Sequence, residues 1–412
     1  LIRVSAVIVI VLASTWIVGS AGADDVASSQ HSLMVQGDLQ AAIDLASPGD
    51  TLLIPAGVYE AIPTMYDEAI CGNCVELLTP VRASIGFRIT GKPLVLVGED
   101  RESTVLITNA GYGVFFDWSW GSRITNLTIT GGVRDPDGNA TDAAIVVKHS
   151  RVIVENVLIR DNTSRIDTVV VGIGGVFGRE GSEVFILNND FRRNGWDGVA
   201  LYRGASAVIA DNTIEGGRGA GIGITWDASA MVFRNRISGY WKGIGAFGDS
   251  WASVRNNVVF DNLGWGIVAT GKAYMEVANN VIHHNGNCGF AVWEPTAKGV
   301  LKNNIITANG WREEWVCPGV GIWMNAHPDD FPVLFNDVWG NASGQYEGIP
   351  DQTGINGNIS DDPMLSVDGS FALGLGSPCI DTGDSAAADT DGSRCDIGIY
   401  GGPQGRPPHM AR

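Results

Sequence analysis

Positive charge is scarce in this chain of 412 residues: 27 Lys and Arg stand against 45 Asp and Glu, a formal net charge of −18. A field of that sign repels polyanions, which excludes a protein that grips nucleic acid or an anionic membrane through its overall charge. Charged residues of either sign are few, 17% against 45% hydrophobic, so the chain must bury a large core and is not disordered. Six cysteines are too few for a disulfide scaffold at this length, yet their even number fits an oxidising compartment. Sixteen prolines exclude collagen and proline-rich linkers. What is abundant is glycine, 55 residues, nearly twice the usual share of about 7%, which calls for an architecture with many tight turns.

Arg3, the apolar run from Ala6 to Val18, and Ala21-Gly22-Ala23 read as a basic region, a hydrophobic segment and a cleavage site. Residues 1–23 are therefore expected to be a signal peptide, since a bilayer span needs about 20 apolar residues. The mature chain is expected to be secreted or held in the cell envelope, extracellular or periplasmic, with no transmembrane span and as a monomer.

Internal repetition is the most specific signal. A glycine followed by a hydrophobic residue recurs at Gly175, Gly198, Gly221, Gly243, Gly266 and Gly289, every 22 or 23 residues. Further members stand at Gly113, Ala144 and Gly321, where longer turns intervene at 131–142, 162–174 and 308–318. Asparagine keeps the same register at Asn126, Asn156, Asn189, Asn212, Asn235, Asn257, Asn280, Asn304 and Asn336. Short β-rich runs between these markers leave room for three strands per repeat and none for a helix. The physical solution is an all-β solenoid that stacks each strand on its equivalent one coil later, about 4.8 Å away. Asparagine at one turn suits left-handed backbone geometry and can form a side-chain ladder.

On these repeats the chain resembles the right-handed parallel β-helix proteins of the pectate-lyase-like class, from about Leu39 to Val338. Asp38-Leu39-Gln40-Ala41-Ala42-Ile43-Asp44 followed by Thr51-Leu52-Leu53-Ile54 is similar to that class's opening, an amphipathic helix plugging the first coil. The resemblance implies a helical cap over 24–50, a right-handed parallel β-helix of about 23 residues per coil over 51–345, and a C-terminal segment over 346–412. Gly376-Ser377-Pro378-Cys379 and Asp389-Thr390-Asp391-Gly392 belong to a tail similar to the choice-of-anchor type on secreted bacterial β-helix proteins, a terminal cap or envelope-association module. Asp389–Gly392 is a candidate calcium run, but it lacks the downstream glutamate of a full binding loop and reads as a turn.

Cys288 and Cys317 lie in consecutive repeats and are expected to bond across the stack. Cys379 with Cys395, and Cys71 with Cys74, are expected to form two further disulfides.

Four and five residues after each repeat glycine, at one end of one strand, the chain reads Asp117-Trp118, Lys148-His149, Arg179-Glu180, Tyr202-Arg203 and Thr225-Trp226, with Asp227 next. Flat aromatics and charged donors in one line suit a polysaccharide. Residues 123–218 hold 11 Lys or Arg and 12 Asp or Glu, a local relief from the acidic field where an anionic glycan could dock. If the ladder is catalytic, a uronate polymer calls for β-elimination, with one group neutralising the carboxylate and others moving the proton. Arg179 or Arg203 would neutralise, and Lys148, His149 or Tyr202 would act as base or acid; Asp117, Trp118, Glu180, Trp226 and Asp227 would hold substrate. Hydrolases and epimerases of the class are less supported, because the paired aspartates with arginine-x-lysine and the Asp-Pro-His-Asp motif are missing. The alternative is a non-catalytic surface, adhesion or glycan-binding β-helix, and copper handling is disfavoured by only seven methionines and scattered histidines.

Overall fold

A computed structural model describes residues 31–405 apart from 164, 167, 168, 171, 172 and 314; the expected signal peptide lies outside the described residues. Three long sheets run the length of the chain, two of 12 strands and one of 11. Each coil gives one strand to each sheet. The first sheet runs from Ser32–Met34 to Val333–Leu334, the second from Gly57–Glu60 to Asp337–Trp339, and the third from Thr64–Glu68 to Tyr346–Glu347. The chain is thus a right-handed parallel β-helix. Strand pairing in the three sheets is parallel, except that Thr64–Glu68 runs antiparallel to Val81–Thr90 at the edge of the third. Ile, Val and Leu from all three sheets fill one continuous core, including Val114, Ile145, Val176, Val199, Ile222, Ile244 and Ile267 on successive rungs of the third.

The open end of such a coil exposes core and must be covered. A helix at Leu39–Leu45 does this, burying Leu39 and Ile43, with Asp38 as N-cap accepting from the Ala41 amide at 2.8 Å. Gln40 fixes the helix to the third sheet by exchanging hydrogen bonds with the Arg88 backbone, 2.8 and 3.1 Å. The C-terminal segment behaves otherwise. It lies back along the outer face of the second sheet, where Cys379 and Ile397 pack on Val258, Val281 and Ile305.

The asparagine series forms a ladder, with one correction. From Asn189 through Asn358 each side-chain amide donates to the carbonyl oxygen of the next, at 2.9 to 3.1 Å. The left-handed residue is the one before it, at Asn188, Asp211, Arg234, Asn256, Asn279 and Asn303. Asn126 and Asn156 are themselves left-handed and sit in this outer column, so the inner ladder starts one residue later in register. The reason is geometric: the left-handed residue swings the chain round the corner, and only its successor turns inward. A second ladder, missed in the sequence, joins Asn262, Asn285, Asn309 and Asn341 at 2.9 Å per step.

Each ladder asparagine satisfies backbone as well. Asn280 accepts from the Asn257 amide at 2.9 Å and donates to the carbonyls of Val254 and Ala278. Asn280→Ala is expected to cost about 1–3 kcal/mol for each buried group it orphans, read as a lower urea midpoint.

Two of the three expected disulfides form, Cys71–Cys74 and Cys288–Cys317. The third does not: Cys379 and Cys395 are free, buried thiols. Each points to a different partner, Cys379 donating to Asp337 at 3.2 Å and Cys395 to the Asp396 carbonyl at 3.2 Å. Asp389 and Asp391 spend their carboxylates on amides of the surrounding turns, Asp389 on Asp396 and Gly402 and Asp391 on Ser393.

Candidate functional site

The third sheet brings the sequence ladder into register: Lys148 pairs with Asp117 on one side and Arg179 on the other. The following residues, Trp118, His149, Glu180, Arg203 and Trp226, are all left-handed, with φ between 42° and 65°. These side chains nevertheless go to different places, because an arm the repeats do not announce, residues 61–80, folds across them.

Glu68 is the hub of that arm. Its carboxylate accepts from Lys148 at 2.5 Å, Arg179 at 2.9 Å and the Tyr112 hydroxyl at 2.6 Å. Arg179 also bonds Glu180 at 2.7 Å, Thr141 at 2.5 Å and the Ile70 carbonyl at 2.9 Å, and none of its surface is exposed. Burial alone would raise the Glu68 carboxyl, but Arg179 and Lys148 more than offset it and hold it below its ordinary value. Lys148 and Arg179 are consequently internal counter-charges. Of the two arginines expected to neutralise a substrate carboxylate, Arg179 or Arg203, Arg179 has its donors used inside and none of its surface exposed.

Beyond the hub the arm ends in the Cys71–Cys74 disulfide loop. Its backbone lies over Arg179, where a Cβ on Gly72 would stand 2.7 Å from Arg179 Nε. Arg203 donates to the Cys74 carbonyl and stacks 4.1 Å from the Trp226 ring centre; the Trp226 indole donates to Asn73 at 3.3 Å. Asp227 accepts from the Gly204 amide at 2.8 Å. On the far flank, His149 meets Asp117 at 2.9 Å and stacks on Trp118.

On the other side of the arm lies a cleft of about 630 Å³. Tyr202 and Phe177 are lining residues from the sheet, at 5.7 Å edge-to-face. The arm contributes Asn73 and Val75, the 131–142 insertion Arg134, Asn139 and Asp142, and Trp196 and Arg218 complete the lining. Burial, helped by the charge of Asp197, pushes the Tyr202 phenol well up, so it stays protonated. Asp197 itself is raised to about 6 by burial, partly opposed by its hydrogen bond from the Ala220 amide. Lys242 is lowered by burial, against the pull of Asp197.

Asp142 packs against Asp135. A Cβ on Gly111 would stand 2.2 Å from an Asp135 oxygen and 2.5 Å from Asp142 Oδ1, and Asp135 in turn accepts from Ser84 Oγ at 2.6 Å. Burial and then Asp135 push Asp142 up to about 8.

Sequence reasoning missed the lining residues Asp142, Trp196 and Arg218. The signal was the two positions before the repeat glycine: Asp142, Asp197, Trp241, Lys242 and Trp265 all stand there. Among the described residues no group of three or more His, Cys, Asp or Glu is placed to hold a metal.

These carboxyls set a pH dependence. Asp142, at about 8, Asp337, at about 7, and Asp197 and Asp396, at about 6, hold their protons more tightly folded than unfolded. The folded state therefore binds more protons, and this contribution, full below an aspartate's ordinary value, is lost as pH rises to the folded values. The melting temperature is expected to fall between about pH 5 and pH 8, with Asp142→Asn flattening the upper part of that fall.

Residues 174–338 match the family described as the right handed beta helix region. No curated protein matches the chain. Among solved structures, the chain is similar to the A-module of the Azotobacter vinelandii mannuronan C-5 epimerase AlgE6, at 15% identity over 79% of this chain and 94% of that one, TM-score 0.45. It is also similar to the pectate lyase Pel9A, at 16% identity over 91% and 97%, TM-score 0.44. The catalytic domain of a GH87 α-1,3-glucanase in complex with nigerose shares 13% identity over 83% and 70%, TM-score 0.41.

Proposed function

We propose that this chain is an exported protein whose cleft binds an acidic polysaccharide and cleaves it by β-elimination. One observation carries the reading: in a chain of net charge −18, Arg134 and Arg218 line the same cleft as Trp196 and Tyr202. Aromatic rings suit the apolar faces of sugars, and guanidinium groups suit uronate carboxylates. Arg218, exposed at the rim, neutralises the uronate carboxylate and so acidifies the neighbouring carbon. Asp142, the carboxylate that lines the cleft, takes that proton when ionised, above about pH 8, and Tyr202 gives its own to the departing glycosidic oxygen. The electron pair of the broken C–H bond becomes the new C=C bond, and the bridging C–O bond leaves with its electrons.

The test is absorbance at the unsaturated-uronate band with polygalacturonate, alginate and a glycosaminoglycan, each with calcium and with chelator. A rise on any of them supports elimination. No rise, with no new reducing ends, removes it.

A second reading, a non-catalytic glycan-binding β-helix, is favoured by the burial of Lys148 and Arg179, which takes two of the five ladder candidates for chemistry out of a ligand's reach. Direct binding without turnover would select it.

A further inference from the structure

The 131–142 insertion carries two aspartates that the coil does not need, Asp135 and Asp142, and each is only 5% exposed. Ser84 donates to Asp135 twice, through its amide at 2.8 Å and its hydroxyl at 2.6 Å, and that hydroxyl accepts in turn from the Gly111 amide at 3.0 Å. The Asp135 amide donates to Asp142 Oδ2 at 2.9 Å. Three of the four carboxyl oxygens are thereby held. The fourth, Asp142 Oδ1, is buried and accepts nothing among the described residues. Gly111 shows where it lies: a Cβ there would meet Asp142 Oδ1 at 2.5 Å and Asp135 Oδ2 at 2.2 Å, so the two oxygens are no farther apart than those distances together. Two ionised carboxylates are strongly disfavoured at such a spacing away from water, whereas one proton between them removes the repulsion and gives the orphan oxygen a bond.

We propose that Asp135 and Asp142 hold one proton between them in the wall of the cleft, carried on Asp142 Oδ1 and given to Asp135 Oδ2, and that Asp135 is thereby the positioning residue of Asp142. Only Asp142 lines the cleft; Asp135 stands behind it, fixed by Ser84. The surrounding charges leave this arrangement in place. Arg134 and Asp137 come from the same insertion, and Asp137 accepts from the Arg82 amide at 2.8 Å while the Arg82 side chain pairs with Asp67 at 3.7 Å. Glu68, Lys148 and Arg179 lie beyond Thr141, bound to one another. Arg218 lines the same cleft, and the arm's lining residues there, Cys71, Asn73, Cys74 and Val75, carry no charge. Asp197 begins a strand two coils on. Burial, then Asp135, raises Asp142, and Arg134 only partly opposes them; burial raises Asp135 as well. The pair itself stands without the elimination reading, on which only its catalytic consequence rests. Once the shared proton has gone to solvent, two negative charges face each other, and the repulsion favours taking a proton back. A proton drawn from the uronate carbon by Asp142 returns the pair to its singly protonated state.

The test has readouts that need no turnover. Carbon-13 carboxyl NMR of aspartate-labelled protein follows Asp142, its resonance assigned by its loss in Asp142→Asn. Asp135→Asn keeps an oxygen for Ser84 and removes the charge; it is expected to move the Asp142 midpoint down by about one pH unit or more, a tenfold loss of proton affinity. Asp137→Asn, on the same insertion but outside the pair, should move it far less. Asp142→Asn copies the protonated acid, its amide donating to Asp135 as the shared proton does. It should therefore melt level with the wild type at about pH 4 and increasingly above it up to about pH 8, where the wild type has lost the contribution of its raised carboxyl. An Asp142 midpoint unmoved by Asp135→Asn, or an Asp142→Asn protein that melts below the wild type at every pH, would overturn the shared proton. If the protein turns over polygalacturonate, Asp135→Asn should also shift the acid limb of kcat/KM to lower pH by the same amount as the NMR midpoint, and an unshifted limb would count against the positioning role. Absence of turnover on any acidic glycan removes the elimination reading alone, because the titration and the melting curves still decide the pair.

Discussion

Glu68→Ala is expected to destabilise the arm over residues 61–80 by about 3–5 kcal/mol, the usual cost of removing one partner from a buried ion network. In the wild type two cations, Lys148 and Arg179, are balanced by two carboxylates, Glu68 and Glu180, in contacts of 2.5 to 3.9 Å. Without Glu68 the cluster carries an uncompensated positive charge in surroundings with almost no water. The Tyr112 hydroxyl loses its acceptor too. The coil itself survives, because its core does not pass through the hub. What should come loose is the Cys71–Cys74 loop that supplies Asn73 and Val75 to the cleft. Hydrogen exchange by peptide would show this as lost protection confined to 61–80; unchanged protection there would refute the hub. Glu68→Gln, which keeps an acceptor for Tyr112 but not the charge, should fall between wild type and Ala.

Tyr202→Phe is expected to lower turnover on the acidic glycan by about 10²–10⁴-fold, the range for loss of a positioned proton donor. Its ring packing against Phe177 is retained, so stability should barely move. The phenol, raised by burial and by Asp197, stays a donor across the neutral range, and the falling acid limb of the profile should instead follow Asp142 at about pH 8. Arg218→Ala should act differently, raising KM together with a drop in kcat, since it meets the carboxylate both before and during elimination. A Tyr202→Phe enzyme as fast as the wild type would remove that residue from the mechanism.

The repeat was legible because each coil must place the same residue types at the same corner. Gly175 to Gly289, at 22 or 23 residues per step, and the asparagines from Asn189 onward are periodic since a stack forces equivalent positions into contact. The helix at Leu39–Leu45 was expected only from the resemblance of Asp38–Asp44 to the opening of the β-helix class. The register of Asn126 and Asn156 was not legible, because an asparagine suits either the left-handed corner or the inward rung, and only strand pairing distinguishes them. The pairing of Cys379 with Cys395 failed for a related reason: nearness in sequence within a non-repeating tail says nothing of direction, and the two thiols turn to Asp337 and the Asp396 carbonyl.

By itself the sequence determined the solenoid, its pitch and the line of charged and aromatic residues along one sheet. All of these follow from local periodicity and short-range stacking. Only the tertiary structure decided which of those residues meet solvent. Residues 61–80 have no periodic counterpart, and their course is set by one buried carboxylate, Glu68, meeting two cations 80 and 111 positions away. That contact turns Lys148 and Arg179 inward, divides the ladder, and opens a cleft on Tyr202, Asp142 and Arg218 instead. Charge pairing across such separations leaves no mark on local pattern, because its strength depends on desolvation that exists only once the coil has closed.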